Sequence, residues 1–359
     1  MAELHVVCRY YQPVKAPLIH HVVVPAVRRL HAAGLDARIE RHWLHGPHVA
    51  VVLARKDGRM TSVVEAEATR VASVLRHGVA VRPSRSGLTR ARLRVAAEAA
   101  GPAELIPGPY EPIHPDNTVQ IRRPDRAPLV ALLGGTEAVA VRDAALARAV
   151  DVVDVLTGGR PDAAQRVGAT VTAMALHAAH YLPGPALGAL VLRSHLDDHL
   201  DGSREPLRER YEGVWQGNAD AVTERVELAL AGRASGPDVR AWQVWTRGAL
   251  ALAAEGFTAG RLTLTPATGL DEASGEADSG ADSGAGSGAD GGTDGGTEHF
   301  GPFRFATGVF HEVLSICDVT VSERYLAAYL VNRAMARITG TRWLDRVRQP
   351  VGASPGNAS

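Results

Sequence analysis

The sequence predicts an α+β protein in which an N-terminal mixed or antiparallel sheet with helices precedes a mostly helical C-terminal half. The sheet is indicated by residues 4–11, which are β-branched and aromatic. Two further runs of this kind, at 37–43 and 48–54, are separated by the turn-forming sequence His45-Gly46-Pro47 and predict an antiparallel pair. The helices are indicated by apolar residues that recur at intervals of three and four from residue 163 onward.

The remaining elements of the N-terminal half follow from the same patterns. Residues 16–33 carry apolar residues at helical spacing, and Gly34 is typical of the position after a helix C-terminus. The chain is then predicted to form helices at 61–76 and 90–100, a proline-rich connector at 102–115, strands at 117–121 and 129–133, and a helix at 136–156.

Helical periodicity dominates the rest of the chain. It predicts helices at 163–180, 185–201, 205–231, 238–256, 303–319 and 321–343. We therefore expect one domain over residues 1–359, made of an α/β part (1–156), a helical part (160–270), an insert (273–297) and C-terminal helices (298–348).

The insert differs in composition from everything around it. Residues 273–297 contain only Gly, Ser, Ala, Asp, Thr and one Glu, with five acidic residues and no basic one. Such a segment cannot bury enough apolar surface to offset its ordering entropy, so we expect it to be disordered. The whole chain has 39 basic and 39 acidic residues, so 39 basic and 34 acidic residues lie outside the insert. The folded part is thus basic and rich in arginine, which favours carboxylate partners.

Composition also bounds the class of protein. Hydrophobic residues make up 45% and charged residues 22% of the chain, which is typical of a soluble globular protein. A net charge of zero argues against a nucleic-acid partner. Cys8 and Cys317 are predicted to be reduced, buried thiols. We expect a cytoplasmic protein, because the sequence shows no signal-peptide pattern and no apolar run of about 18 residues.

Several motifs match a pattern without its structural context. Residues 286–291 spell G-x-G-x-x-G inside the insert, and residues 352–356 spell G-x-S-x-G in the C-terminal tail, each without the strand and helix that its chemistry needs. Histidines 42, 45 and 48 are spaced around a turn, but strand geometry makes their convergence on a metal doubtful. The sequence therefore predicts no metal site and no cofactor.

Three blocks of residues are more informative as an ordered set. The first combines Tyr10-Tyr11 with Arg41-His42-Trp43-Leu44-His45-Gly46-Pro47-His48. The second is Arg193-Ser194-His195 through Leu200, followed by Arg208-Glu209-Arg210-Tyr211, and the third runs from Phe310-His311 to Asn332-Arg333. Together they resemble the small, elimination-type domain of lantibiotic dehydratases, which also occurs as a standalone protein in thiopeptide biosynthesis. The resemblance implies the α+β fold of that domain over nearly the whole chain.

Departures from the family pattern distinguish its subtypes. Glutamate-elimination domains carry arginines in the strand that follows the histidine, but that strand here reads His48-Val-Ala-Val-Val-Leu. The arginine and tyrosine that precede Gly134-Gly135 in the pattern are absent, and so are the histidines of the helix at Asn332-Arg333. The remaining pattern resembles the thiopeptide pyridine synthases. This resemblance implies a formal aza-[4+2] cycloaddition of two dehydroalanines, with loss of water and of the leader peptide.

The resemblance and the side-chain chemistry together suggest candidate site residues. Tyr325 and Tyr329 lie one helical turn apart and form a row of hydroxyls with Ser322, suited to stabilising an imidic tautomer. His311 is the candidate general base. The candidate substrate-binding residues are Arg41, His42, Trp43, His48, Ser194, His195, Asn332 and Arg333.

The expected partner is a modified precursor peptide whose leader is acidic, with no membrane partner. The sequence leaves open whether the chain forms a homodimer or associates with other maturation enzymes. It also leaves open two other functions, namely glutamate elimination in a split lantibiotic-type dehydratase and non-catalytic binding of the leader peptide.

Overall fold

The computed structural model describes residues 3–55, 60–101, 106, 108–159, 161–193, 196–201, 206–263 and 294–340. Four strands form one antiparallel sheet in the order β2-β3-β1-β4: β1 (Glu3–Arg9), β2 (Asp36–His42), β3 (His48–Ala54) and β4 (Thr118–Arg122). The predicted antiparallel pair is therefore confirmed, with His42 opposite His48. The first strand, β1, lies between β3 and β4.

The turn between β2 and β3 is shaped by two residues with positive φ, His45 (62°) and Gly46 (103°). A Cβ atom at Gly46 would overlap the hydroxyl group of Tyr11, so glycine is required there for space as well as for conformation. The turn is tied to the connector before β4, because His45 N donates to Tyr110 O (3.0 Å) and His114 N donates to His45 O (3.1 Å).

The sheet has two chemically different faces, because successive side chains of a strand point to opposite sides. Val6, Cys8, Ile39, Val51 and Leu53 belong to the main apolar core with α2 (Val24–Ala32) and α3 (Ser62–Val81). The alternating residues form the second face, which we call the charged face and which is lined by Glu3, His5, Arg9, Arg38, Glu40, His42 and His48.

The predicted first helix is a continuous segment with a wide turn inside it. It consists of α1 (Ala16–Leu18), a π-helical turn (Ile19–Val23) and α2. Val24 N donates to Ile19 O, five residues back, directly before Pro25. Proline offers no N–H and its ring crowds the preceding turn, so the wider turn lets the segment continue.

Twelve further helices, α3 to α14, lie in the described part of the chain, and most predicted helices are present. Helix α3 begins after Thr61, whose side chain accepts a hydrogen bond from Val64 N, and α4 spans Arg90–Ala100 as predicted. The later helices are α5 (Ala127–Leu133), α6 (Thr136–Ala147), α7 (Val150–Gly158), α8 (Ala163–Ala178), α9 (Pro185–Leu192), α10 (Leu196–Asp201), α11 (Leu207–Leu230), α12 (Pro237–Thr258), α13 (Asp294–Ile316) and α14 (Val321–Thr339).

The strand predicted at 129–133 is wrong, because these residues form the helix α5. Pro128 lies in its first turn, where proline is tolerated, and Gly134 (φ 81°) closes its C-terminus in the left-handed conformation. The helices predicted at 136–156 and 185–201 are each divided in two. At the first division, α6 packs on β2 whereas α7 packs on the π-helical turn, so the change of direction serves two different partners.

The core continues from the sheet into the helical half. Trp242 and Trp245 of α12 pack edge to face, and Phe310 of α13 lies 4.9 Å from Trp242, ring to ring. The two cysteines are buried and free, as predicted, and burial raises the pKa of the Cys8 thiol to about 12. Of the insert, residues 273–293 lie outside the described residues, and α13 begins at Asp294. Among the helices described, none is long and apolar enough to cross a bilayer.

Candidate functional site

An open cleft of about 490 Å³ lies between α11 and α14. We call it the tyrosine cleft, and it is lined by Arg208, Glu209, Glu212, Gly213, Gln216, Tyr329 and Arg333. The two helices bring it together because their apolar faces pack against each other and against α8, which leaves polar side chains at the rim. Two of the predicted site residues, Tyr329 and Arg333, therefore line one concave surface.

Glu212 binds both of these predicted residues. The Tyr329 hydroxyl donates to Glu212 Oε2 (2.5 Å), and the two terminal nitrogens of Arg333 lie 3.0 Å and 3.1 Å from the Glu212 carboxylate. The Arg333 guanidinium also lies over the ring of Trp215, 5.6 Å from its centroid. Burial and the hydrogen bond to Glu212 raise the pKa of Tyr329 to about 12, so its hydroxyl remains a proton donor near neutral pH.

Of the predicted row of hydroxyls on α14, Tyr329 lines the tyrosine cleft and Tyr325 and Ser322 do not. Tyr325 is half-buried and its ring stacks on His199 of α10, with centroids 4.3 Å apart. Ser322 is exposed, and its carbonyl accepts a hydrogen bond from the Tyr211 hydroxyl (3.0 Å). Tyr211 in turn contacts Tyr329 edge to face, 5.8 Å between centroids. The aromatic rings therefore continue from the tyrosine cleft toward α10.

Two further predicted site residues, His311 and Asn332, do not line the cleft. His311 lies half-buried on α13 and is not among the cleft residues; its ring contacts Phe310 and its carbonyl accepts a bond from Arg324 (3.3 Å). The side-chain amide of Asn332 donates to Ala189 O (3.0 Å), which joins α14 to α9. Asn332 is thus engaged in packing two helices together.

The first block separates onto both faces of the sheet. Arg41 points to the core side, where Nη1 donates to Ser315 O (2.7 Å) and to Asp318 Oδ1 (2.9 Å) at the end of α13. Trp43 packs with Tyr110 in a small apolar cluster beside the turn. Arg41 therefore joins β2 to the C-terminal helices and does not face the tyrosine cleft.

His42 and His48 lie on the charged face, where their rings stack 5.6 Å apart. Burial lowers the pKa of His42 to about 4, and burial also lowers the pKa of His48 well below its usual range. Both imidazoles are therefore neutral near pH 7. Ser194 and His195, the remaining predicted substrate-binding residues, lie outside the described residues.

A buried network of ion pairs, which we call the charged network, fills the other part of this face. Nε of Arg142 lies 3.0 Å and 2.9 Å from the two carboxylate oxygens of Glu312, and Nη1 lies 3.1 Å from Glu40. Arg38 binds Glu40 (2.7 Å) and Glu3 (2.9 Å). Arg126 and Asp143 complete the network. Burial opposes ionisation of Glu40, but Arg38 and Arg142 outweigh it and hold its pKa well below the usual range.

The residue that sequence reasoning missed is Glu212. Its signal was present, because Glu212 directly follows the Arg208–Tyr211 part of the second block and shares a helix face with Arg208 four residues earlier. His199, which stacks on Tyr325, lies inside the second block but was not among the candidate site residues. In the part of the chain that the structure describes, no three His, Cys, Asp or Glu side chains are placed to hold a metal ion together.

The chain folds into an antiparallel four-stranded sheet followed by a helical half with an open cleft, and solved structures share this fold. One of them is the pyridine synthase TbtD from thiomuracin biosynthesis, with a TM-score of 0.71 and 21% sequence identity over 95% of this chain and 99% of that chain. At this identity the likeness shows a common fold across almost the full length of both chains.

Two further solved structures are similar. TsrL aligns with a TM-score of 0.60 and 16% identity over 97% of this chain and 99% of that chain. The tRNA-dependent lantibiotic dehydratase MibB from Microbispora sp. 107891 aligns with a TM-score of 0.45 and 14% identity, over 97% of this chain and 29% of that chain. No protein-family model matches the sequence, and no curated protein matches it significantly.

Proposed function

We propose that this protein is a thiopeptide maturation enzyme, a lyase- or cyclase-type pyridine synthase that joins two dehydroalanines of a modified peptide by a formal aza-[4+2] cycloaddition. The observation that carries the proposal is the Tyr329–Glu212–Arg333 arrangement in an open cleft. The fold shared with TbtD, a pyridine synthase, supports it.

The reaction requires three things of a protein. One dehydroalanine, with its preceding amide in the imidic tautomer, is the azadiene, and the other is the dienophile. Holding both ends of one peptide together can lower the barrier by up to about 7–11 kcal/mol in ideal cases. A hydrogen-bond donor must stabilise the imidic tautomer, and a proton carrier must serve the losses of water and of the leader peptide that make the ring aromatic.

Tyr329 is the proposed donor. Its hydroxyl is protonated near neutral pH, and in the free protein its single hydrogen is donated to Glu212. In the proposed complex this hydrogen turns to the imidic amide of the substrate, which leaves the Glu212 carboxylate free to accept a proton from the substrate. Arg333 neutralises Glu212 and keeps that carboxylate in one position. In this arrangement a donor and an acceptor lie within one hydrogen bond of each other, as both tautomer stabilisation and elimination require.

The other predicted residues take supporting roles in the proposal. Tyr325 and Ser322 extend the polar row along α14, and the stacked ring of His199 fixes the position of Tyr325. His311 remains a candidate general base, and Ser194 and His195 remain candidate substrate contacts. Arg41 and Asn332 act on the site by holding α13 and α9 in place, since their donors bind the protein itself.

The proposed substrate is a precursor peptide with an acidic leader, handled in the cytoplasm together with other maturation enzymes. The excess of arginine outside the insert supports an anionic partner, because surface charge steers the approach of an oppositely charged peptide.

Incubation of the full chain with a peptide carrying two dehydroalanines, followed by mass spectrometry, tests the proposal. We expect a macrocycle lacking one water and a separate leader peptide released as its carboxamide. Tyr329→Phe should reduce this product strongly, whereas Tyr181→Phe, a buried tyrosine that packs on Phe303, should not. Dehydration of a glutamylated peptide would instead indicate glutamate elimination, and leader binding without any mass change would indicate a scaffold; either result would overturn the proposal.

A further inference from the structure

Two arginines on the charged face are joined by a neutral side chain. Arg9 of β1 and Arg122 of β4 lie on the same side of the sheet, because Arg9 pairs with Thr118 and Arg122 pairs with His5. Gln120 lies between them on β4. Its Oε1 accepts from Arg9 Nη1 and from Arg122 Nε, each at 3.2 Å. One amide oxygen thus occupies the position that a carboxylate usually takes between two guanidinium groups.

Neither guanidinium has an acidic partner in the described part of the chain. No carboxylate oxygen there lies within 4.0 Å of a nitrogen of Arg9 or Arg122. The other acceptors are also neutral: His45 O for Arg9 (3.4 Å) and His114 Nε2 for Arg122 (3.1 Å). Arg9 is nevertheless fully buried (0% exposed), and burial together with the charge of Arg122 lowers its pKa.

This differs from the neighbouring charged network. Arg38 and Arg142 are buried to a similar degree, but each binds two or more carboxylates. A buried charge without a counter-charge is unfavourable, since desolvation is not offset by an ion pair. On the same face of the sheet, therefore, carboxylates balance the charges of Arg38 and Arg142, whereas no described carboxylate balances those of Arg9 and Arg122.

The uncompensated pair reaches solvent through Arg122 and the bridging Gln120, whereas Arg9 lies beneath them. Gln120 is exposed, and Arg122 and His114 are half-buried. His114 accepts a hydrogen bond at Nε2, so it is neutral with its proton on Nδ1 and offers a further donor. In addition, His45 Nδ1 is buried and has no hydrogen-bond partner among the described residues. Among the described residues, the groups that bind the two guanidiniums are therefore all neutral.

We propose that Arg9 and Arg122 form an anion-binding site that takes a carboxylate group of a bound peptide, such as an aspartate or glutamate side chain. A planar guanidinium binds the two oxygens of a carboxylate through paired hydrogen bonds, and two guanidiniums bridged by Gln120 present such donors on one side. The carboxylate replaces the shared amide oxygen as the acceptor between them and supplies the missing negative charge.

The choice of a peptide carboxylate rests on the proposed function, in which the substrate is an acidic peptide. The anion site itself rests only on the uncompensated arginines. Its test therefore uses no reaction: a failure to bind would leave the cycloaddition proposal standing, and a failure of the cycloaddition would leave the site standing.

The decisive variant is Gln120→Glu, because it places a carboxylate where the two guanidiniums already converge. Ser73→Glu, which adds the same charge on the exposed surface of α3, is the matched control. The full chain and both variants are titrated by calorimetry with acetyl-glutamate amide at pH 8 and constant ionic strength. Acetyl-glutamine amide serves as the neutral probe and inorganic phosphate as a second anion.

We expect saturable binding of acetyl-glutamate amide to the wild-type chain and to Ser73→Glu, with a dissociation constant of about 1 mM, and no binding of the neutral probe. Binding should weaken at least about tenfold in Gln120→Glu, which should also melt at a higher temperature because its own carboxylate completes the site. Arg122→Gln should likewise lose binding.

Equal affinity in the wild type and in Gln120→Glu would overturn the site, and so would equal binding of the charged and neutral probes. Saturable binding of phosphate without any binding of acetyl-glutamate amide would overturn the assignment to a carboxylate. Thermal unfolding of each variant without ligand shows whether it is folded. If Arg122→Gln does not fold, Gln120→Glu against Ser73→Glu decides the question alone.

Discussion

The charged network and the tyrosine cleft both contain arginines bound to glutamates, but they differ in what surrounds the ions. In the network, Arg142 and Glu40 are buried between the sheet and the helices that cover it. In the cleft, the Arg333 side chain is 44% exposed and that of Glu212 is 29% exposed. The same chemical pair therefore holds the fold together in one place and borders an open surface in the other.

The difference follows from desolvation. A buried arginine needs every available carboxylate, since removing one partner leaves a charge in a medium that cannot stabilise it. An exposed arginine keeps much of its hydration, so its partner contributes little to folding and remains available for a ligand. Substitutions in the two regions should consequently separate effects on stability from effects on activity.

The largest effect on stability is expected from Arg142→Ala. It leaves Glu40, Glu312 and Asp143 with less positive charge around them, and we expect the free energy of unfolding to fall by about 3–5 kcal/mol. Urea unfolding followed by circular dichroism measures this. A loss below about 1 kcal/mol would mean that the network is not desolvated and that the contrast between the regions is mistaken.

The largest effect on activity is expected in the cleft. Tyr329→Phe removes a preorganised donor, and Glu212→Gln removes the charged acceptor that positions it. Each should slow macrocycle formation by about 10²-fold. Single-turnover kinetics measure the rate. Tyr181→Phe serves as the control, and an unchanged rate in both cleft variants would exclude Tyr329 from the reaction.

A smaller effect is expected from His177, which is buried as a neutral imidazole and makes the stability depend on pH. Burial lowers the pKa of His177 to about 3, below its usual 6.5, so the unfolded chain takes up a proton that the native chain does not. The stability linked to this lowered pKa is fully present above pH 6.5 and is lost as the pH falls toward 3. Between pH 7.5 and 5 the loss should be about 2 kcal/mol.

His177→Gln keeps an amide that can reach Thr307 but removes the titration. The drop in unfolding free energy between pH 7.5 and 5, measured with urea at each pH, should therefore be about 2 kcal/mol smaller in this variant than in the wild type. Equal drops in the two proteins would show that folding does not lower the pKa of His177.

The smallest effect is expected from Arg333→Ala. Its ion pair with Glu212 is partly exposed, so the unfolding free energy should change by less than about 1 kcal/mol. This is the direct counterpart of Arg142→Ala, measured by the same urea titration. A loss as large as that of the network variant would show that Arg333 supports the fold and not mainly the cleft.

The sequence predicted most of the elements because local signals agreed with the final packing. The pair β2 and β3 was recognisable from its strand-forming residues and from the turn sequence His45-Gly46-Pro47, and α4 begins and ends where the pattern indicated. The element at 127–133 was misread because a short apolar run fits a strand and a helix equally well. Pro128 and Gly134 mark it as a helix only when their places at its two ends are known.

The candidate site was predicted in part. Tyr329 was a candidate because of its helical spacing from Tyr325, and Arg333 because it belongs to the third block of the resemblance. The structure places both at the cleft. Glu212 was missed, because its contact with them crosses 117 positions of the chain and depends on how α11 packs against α14. Arg41 was expected to bind substrate, yet it binds Asp318 across the core, a partner that alternation along a strand does not reveal.

By itself the sequence determined most of the strands and helices, the basic and arginine-rich character outside the insert, and the polar row on α14, since these depend on composition and on local periodicity. Only the tertiary structure decided which arginines are compensated. Arg38 and Arg142 meet carboxylates from distant segments, whereas Arg9 and Arg122 meet Gln120. Charges that are equivalent in the sequence become different when folding removes their water, because burial makes the identity of each neighbour decisive.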